Sequence, residues 1–133
     1  MATINATAGG GGGIVQTADN TGIMKVQSNG VNITPIAWCR FNGTNGTLMA
    51  GYNIAGITRV STGSYTLAMT NASSDANYAV CATSQYSLTS PGWVFYEDGN
   101  GYTRTAASFR IQTANGTGVV ADCVSCSVVV YGN

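Results

Sequence analysis

The sequence predicts an all-β fold, an antiparallel β-sandwich of jelly-roll-like form preceded by an extended amino-terminal arm. Three observations carry this expectation. First, Asn-Gly pairs stand at Asn29-Gly30, Asn42-Gly43, Asn45-Gly46, Asn100-Gly101 and Asn115-Gly116, joined by Asp98-Gly99. Such pairs accept the positive φ angles of tight hairpin turns, because glycine has no Cβ and asparagine tolerates the left-handed region. Second, the segments between them are short and rich in β-branched, aromatic or alternating apolar residues. Third, no stretch of eleven or more residues keeps helical apolar spacing without a glycine or a β-branched run interrupting it.

In chain order, residues 1–35 read as an attachment segment and residues 36–133 as the sandwich domain. The run Gly9–Gly13 would be a flexible coil as free chain, so the arm is expected to be ordered by neighbouring subunits. Ile14 and Val15 are its candidate subunit contacts. Strands are expected over residues 22–28, 36–41, 47–54, 64–70, 78–84, 93–97, 107–113 and 119–131. In the fourth of these, Tyr65, Leu67 and Met69 fall on one face, with Ser64, Thr66 and Thr70 opposite. In the second, Ile36, Trp38 and Arg40 share one face while Ala37, Cys39 and Phe41 share the other. Both faces of that strand read as partly covered, so Ile36, Trp38 and Phe41 join the candidate subunit contacts.

Composition removes several functions. With 133 residues the chain fits one domain. Five basic and five acidic residues balance to a formal charge of zero, which removes a nucleic-acid footprint or a polybasic membrane patch. Histidine is absent, and with it Ser-His-Asp or Cys-His catalysis and every His-containing metal site. A 44% hydrophobic content argues against a disordered polar chain. No apolar run approaches the roughly 20 residues of a membrane span, so no membrane insertion is expected. The amino terminus lacks signal-peptide regions, and a product made inside the cell is expected. No Lys-Ser/Thr follows Gly9–Gly13, which is therefore no phosphate loop.

The remaining chemistry is sparse. Cys39, Cys81, Cys123 and Cys126 read first as small buried hydrophobes, with a disulfide among them or a zinc site as alternatives. Only Cys123-x-x-Cys126 has metal-like spacing, and on a regular strand its two side chains face opposite ways. The loop Glu97-Asp98-Gly99-Asn100-Gly101 reads as a solvated turn before an ion or catalytic site, since it offers only two acids and an amide. No catalytic residue, cofactor or metal ligand is assigned. Tyr86, Trp93, Tyr96 and Tyr102 surround the longest irregular region, residues 85–101. Tyr86, Tyr96 and Tyr102 are candidate receptor contacts, because tyrosine offers a large contact area with a polar tip. The plainer reading has Trp93 and Phe95 filling the core while Tyr86 and Tyr102 cover it.

Four segments taken in order carry a family resemblance: Ala37-Trp38-Cys39-Arg40-Phe41-Asn42-Gly43-Thr44, Tyr52-Asn53-Ile54, Gly63-Ser64-Tyr65-Thr66-Leu67, and Asp75-Ala76-Asn77-Tyr78-Ala79-Val80. The set resembles a β-rich module of virion proteins of tailed bacteriophages, notably those of cyanobacteria and other aquatic bacteria. The stretch from Gly22 to Gly30 is similar to the linker that often precedes that module. The resemblance is strongest from Ala37 to Val80 and weakest from Cys81 to Asn115. It implies a non-enzymatic part of a phage particle, assembled in the host cytoplasm, with no cofactor. Only 35 residues precede the module here, which favours a capsid decoration (cement) protein over a long tail fibre. The implied partners are further copies of the chain, as a homotrimer, and a major capsid or other virion protein held through the arm. The alternative is a tail or neck fibre or receptor-binding module contacting host-surface glycan or protein.

Overall fold

The computed structural model describes residues 26–28, 31–85, 94–97 and 101–132. Among them there is no helix, and ten strands run antiparallel. A short antiparallel pair joins β1 (Gln27–Ser28) to β2 (Val31–Asn32). Eight further strands follow: β3 (Ala37–Asn42), β4 (Leu48–Tyr52), β5 (Ile54–Ser61), β6 (Ser64–Met69), β7 (Ala79–Ser84), β8 (Val94–Glu97), β9 (Ser108–Ala114) and β10 (Ser125–Tyr131). They form two four-stranded sheets, ordered β4-β3-β10-β7 and β5-β6-β9-β8.

The two sheets share one core, so the architecture is sandwich-like. Cys39 and Phe41 of β3, with Cys126, Val128 and Val130 of β10, face Tyr65, Leu67 and Met69 of β6 and Phe109 and Ile111 of β9. The rings of Phe41 and Tyr65 meet edge-on at 5.1 Å, and those of Tyr78 and Phe109 at 5.9 Å. Edge-to-face contact adds to area burial because the positive edge of one ring meets the negative face of the other. The expected common face of Tyr65, Leu67 and Met69 is the buried one.

Two strand expectations need correction, and one strand was not expected. The expected strand over residues 47–54 stops at Tyr52, because Asn53 adopts φ 56°. Asn53 is held there by its own side chain, whose Nδ2 donates to the carbonyls of Ile36 (2.9 Å) and Asn71 (3.0 Å) while its Oδ1 accepts from Asn71 N (2.7 Å). The chain thereby leaves one sheet and starts the other at Ile54. Strand β5, for which no expectation was formed, carries a register shift between Ile54 and Gly56 that displaces its apolar alternation. The expected strand over residues 119–131 begins only at Ser125, since Val120 makes an isolated bridge to Ala114 and the chain bends at Val124.

The β5–β6 hairpin turns at Thr62-Gly63, a pair the Asn-Gly signal does not detect. Gly63 has φ +65°, and a Cβ there would stand 2.6 Å from the Thr113 carbonyl oxygen. Both facts demand glycine. Gly43 is required for a different reason: a Cβ on it would collide with the carbonyl and sulfur of Cys123.

Candidate functional site

Strand β3 decides what the molecule presents outward. Its burial alternates: Ala37, Cys39 and Phe41 are buried, while Trp38 and Arg40 are exposed. Trp38 leaves 42% of its surface accessible, whereas Phe41 leaves none and Ile36 only 7%. Within the single chain, then, one face of the strand is fully core, and the other is covered at Ile36 and open at Trp38 and Arg40. Of the three candidate subunit contacts in this segment, Phe41 and Ile36 belong to the core of the single chain and only Trp38 is free to meet a partner. Ile14 and Val15 lie outside the described residues.

Sheet register then places Trp38 in a row across all four strands. Trp38 pairs with Tyr52 on β4 and Val129 on β10, and Val129 pairs with Cys81 on β7. Paired residues of antiparallel strands share a face, so Tyr52, Trp38, Val129 and Cys81 stand side by side. Tyr131, 41% exposed, and its partner Ala79 extend the apolar band along β10 and β7. The next row towards the other end is Ala50, Arg40, Ser127 and Thr83. Arg40 there reaches towards Gln85 Oε1 (3.4 Å), which also accepts from Ser125 Oγ (2.9 Å).

The outer face of the other sheet differs in kind. Thr66 pairs with Arg110, whose Nε donates to the Thr66 hydroxyl at 3.0 Å, and Ser64 pairs with Gln112. The edges differ as well. β4 and β7, the edge strands of the first sheet, contain neither a charged residue nor a proline. β5 and β8, the edges of the second, carry Arg59 and Glu97. Charge and proline are the usual protection of a sheet edge against pairing with another chain. The first sheet lacks that protection and carries the apolar band, so it is the candidate site.

At the opposite end of the sandwich the scarce charges are spent on structure. Asp122, just before β10, accepts from Arg59 Nε (3.1 Å) and NH2 (2.7 Å), from the Gly63 amide (2.7 Å) and from the Tyr65 hydroxyl (2.9 Å). The Tyr65 hydroxyl also touches the Gly43 carbonyl, so its one proton is shared between two acceptors. Three residues of the β5–β6 hairpin, Arg59, Gly63 and Tyr65, converge on this one carboxylate. Burial pushes this carboxyl upward, but the bonds from Arg59, Gly63 and Tyr65 together outweigh it and hold the group below its ordinary value of 3.8. Burial, with the Asp122 carboxylate beside it, pushes the Tyr65 phenol upward, so it stays a donor.

A depressed folded-state value means stability present above the unfolded pKa and lost as pH falls through the folded one. Asp122→Asn is therefore expected to cost roughly 1–2 kcal/mol near neutral pH, as charge-assisted bonds become neutral ones. The gap to wild type is expected to close as pH falls below 3.8. Urea midpoints followed from about pH 7 down to about pH 2 test this, and a gap independent of pH would refute it.

The receptor candidates fare differently. Tyr86 lies outside the described residues, as do Trp93 and Asp98; Tyr96 pairs in register with Gln112. Tyr102 is half-buried, with its hydroxyl donating to Ser108 Oγ (2.7 Å) and the Arg110 guanidinium 4.5 Å above its ring. One ring face is thus already occupied by a cation. The residues that reading the sequence missed are Arg59 and Asp122, for which charge scarcity was the available signal: a charge in so neutral a chain has a local use. No group of three or more metal-capable side chains occurs among the described residues, and no helix among them is long and apolar enough to cross a membrane. Compared with family models, curated proteins and solved structures, the chain matches none.

Proposed function

We propose that this chain is a non-enzymatic virion structural protein, a capsid decoration protein that self-associates through the outer face of the β4-β3-β10-β7 sheet. The observation that carries the reading is the apolar row Tyr52, Trp38, Val129 and Cys81, aligned across four strands and flanked by Tyr131. An exposed apolar band of this kind marks an interaction surface, because leaving it in water forfeits the hydrophobic gain that association provides. The unprotected edges of the same sheet support the same conclusion. Identical copies are the fitting partner: the row Tyr52, Trp38, Val129 and Cys81 carries no charge, so copies can meet across it without desolvating one.

The phage setting, the homotrimer and the anchoring role of residues 1–35 rest on the resemblance of the segments between Ala37 and Val80. The jelly-roll-like description rests on β3 and β10, first and last strands of the sandwich, being neighbours; the hairpins β3–β4, β5–β6 and β8–β9 set the remaining order. Sedimentation equilibrium of the full chain tests the assembly. A species near three times 13.6 kDa is expected. A single monomeric species up to about millimolar concentration would refute self-association, since it places any dissociation constant above the weakest range of specific contacts.

A further inference from the structure

We propose that Cys123 and Cys126 form an intramolecular disulfide that locks the bend leading into β10. Their spacing, unsuited to pairing on a regular strand, is rescued by local geometry. Cys123 precedes β10, the chain bends at Val124, and the two side chains turn to the same interior side. Both are buried, and their sulfurs stand 2.8 Å apart, against about 2.05 Å for the covalent bond. The space they occupy is opened by Gly43, whose missing Cβ would otherwise meet the Cys123 sulfur.

The other two cysteines are not competitors. Cys81 is exposed in the outward row, on the far side of the sheet. Cys39 is buried, and burial pushes its thiol up to about 12, which leaves little of the reactive thiolate. The pair itself is polarised. The two sulfurs share one hydrogen bond that either thiol can donate; with Cys126 as the donor, Cys123 is lowered and Cys126 raised. Cys123 is therefore the group that starts the exchange.

The oxidant is a small-molecule disulfide such as oxidised glutathione. The Cys123 thiolate attacks one of its sulfurs, forming a mixed disulfide and expelling one thiolate. Cys126 gives its proton to that leaving group and attacks the Cys123 sulfur, expelling the second thiolate. Two protein thiols are oxidised and one small disulfide is reduced to two thiols. Because both sulfurs are buried, exchange proceeds while β10 docks or by local opening at the exposed Val124.

The consequence for the fold is local. A loop this short constrains the unfolded chain little, and the bond acts chiefly on the native bend. That bend carries Asp122, so the bridge holds the carboxylate in place against Arg59, Gly63 and Tyr65.

Mass mapping tests the bond directly. Arg110 is the last basic residue, so trypsin releases both cysteines in the single peptide 111–133. The full chain is refolded with oxidised glutathione, unfolded in guanidinium with iodoacetamide and no reductant, and digested. The expected peptide is two hydrogens lighter than the dithiol and carries no alkyl group, while Cys39 and Cys81 are each alkylated. After prior reduction the same peptide carries two alkyl groups. Two alkyl groups without reduction, glutathione remaining on either cysteine, or a bond from this peptide to Cys39 or Cys81 would each overturn the proposal.

Discussion

Phe41→Ala is expected to cost about 3–5 kcal/mol of folding stability, the range for removing a buried aromatic ring. Phe41 is fully buried, between the sheets, and its ring meets Tyr65 edge-on. Tyr65 is itself tied to Gly43 and Asp122, so the surrounding groups are not free to collapse into the vacated space. A residual cavity is the outcome that makes such truncations most costly. Against a total of roughly 5–15 kcal/mol for a domain, this is a large share, and it converts to a melting temperature lower by roughly 15 °C or more. Urea and thermal unfolding measure it. A loss below about 1.5 kcal/mol would mean that Phe41 is not packed between the sheets as described.

Trp38→Lys is expected to do the reverse, although the two residues lie on one six-residue strand. Trp38 is exposed in the single chain, so its replacement leaves the core intact and shifts monomer stability by about 1 kcal/mol or less. Association is where it acts. A tryptophan at the centre of an apolar face behaves as a hot spot, worth about 2 kcal/mol or more, and that is a loss of about 30-fold or more in affinity. A lysine there also meets its copy, or a nearby Arg40, as a like charge. Val60→Lys, on an exposed position of the other sheet's edge strand, is expected to leave the assembly mass unchanged. Sedimentation of the three proteins decides the matter: equal masses for wild type and Trp38→Lys would remove this face from the interface.

Much of the fold was legible along the chain, and the gaps have identifiable causes. Strand β6 could be read because Tyr65, Leu67 and Met69 alternate without interruption. β5 could not, because its register shift near Ile54 breaks the period-two pattern on which such reading depends. Asn53 looked like part of a continuing strand, and only its hydrogen bonds to Ile36 and Asn71, distant in sequence, hold it in the left-handed turn that separates the sheets. The candidate face was half legible. Alternation in β3 placed Trp38 and Arg40 together, yet which of its two faces met the core depended on β6 and β9 lying over the other one. The row joining Tyr52, Trp38, Val129 and Cys81 depends on pairing between segments up to 91 residues apart in number, Trp38 to Val129, and no local pattern encodes that register.

The amino-acid sequence alone determined the class of the molecule: all-β, because turn chemistry and β-branched segments are local properties of the chain. It also excluded the chemistries that need histidine, since the chain contains none. The tertiary structure decided which face of β3 is core and which is offered outward, and it brought Arg59, Gly63, Tyr65 and Asp122 onto one point. The physical reason is that burial and register are properties of pairs of segments. A residue's partner across a sheet is set by how two strands dock, and that information becomes explicit only when the chain is folded.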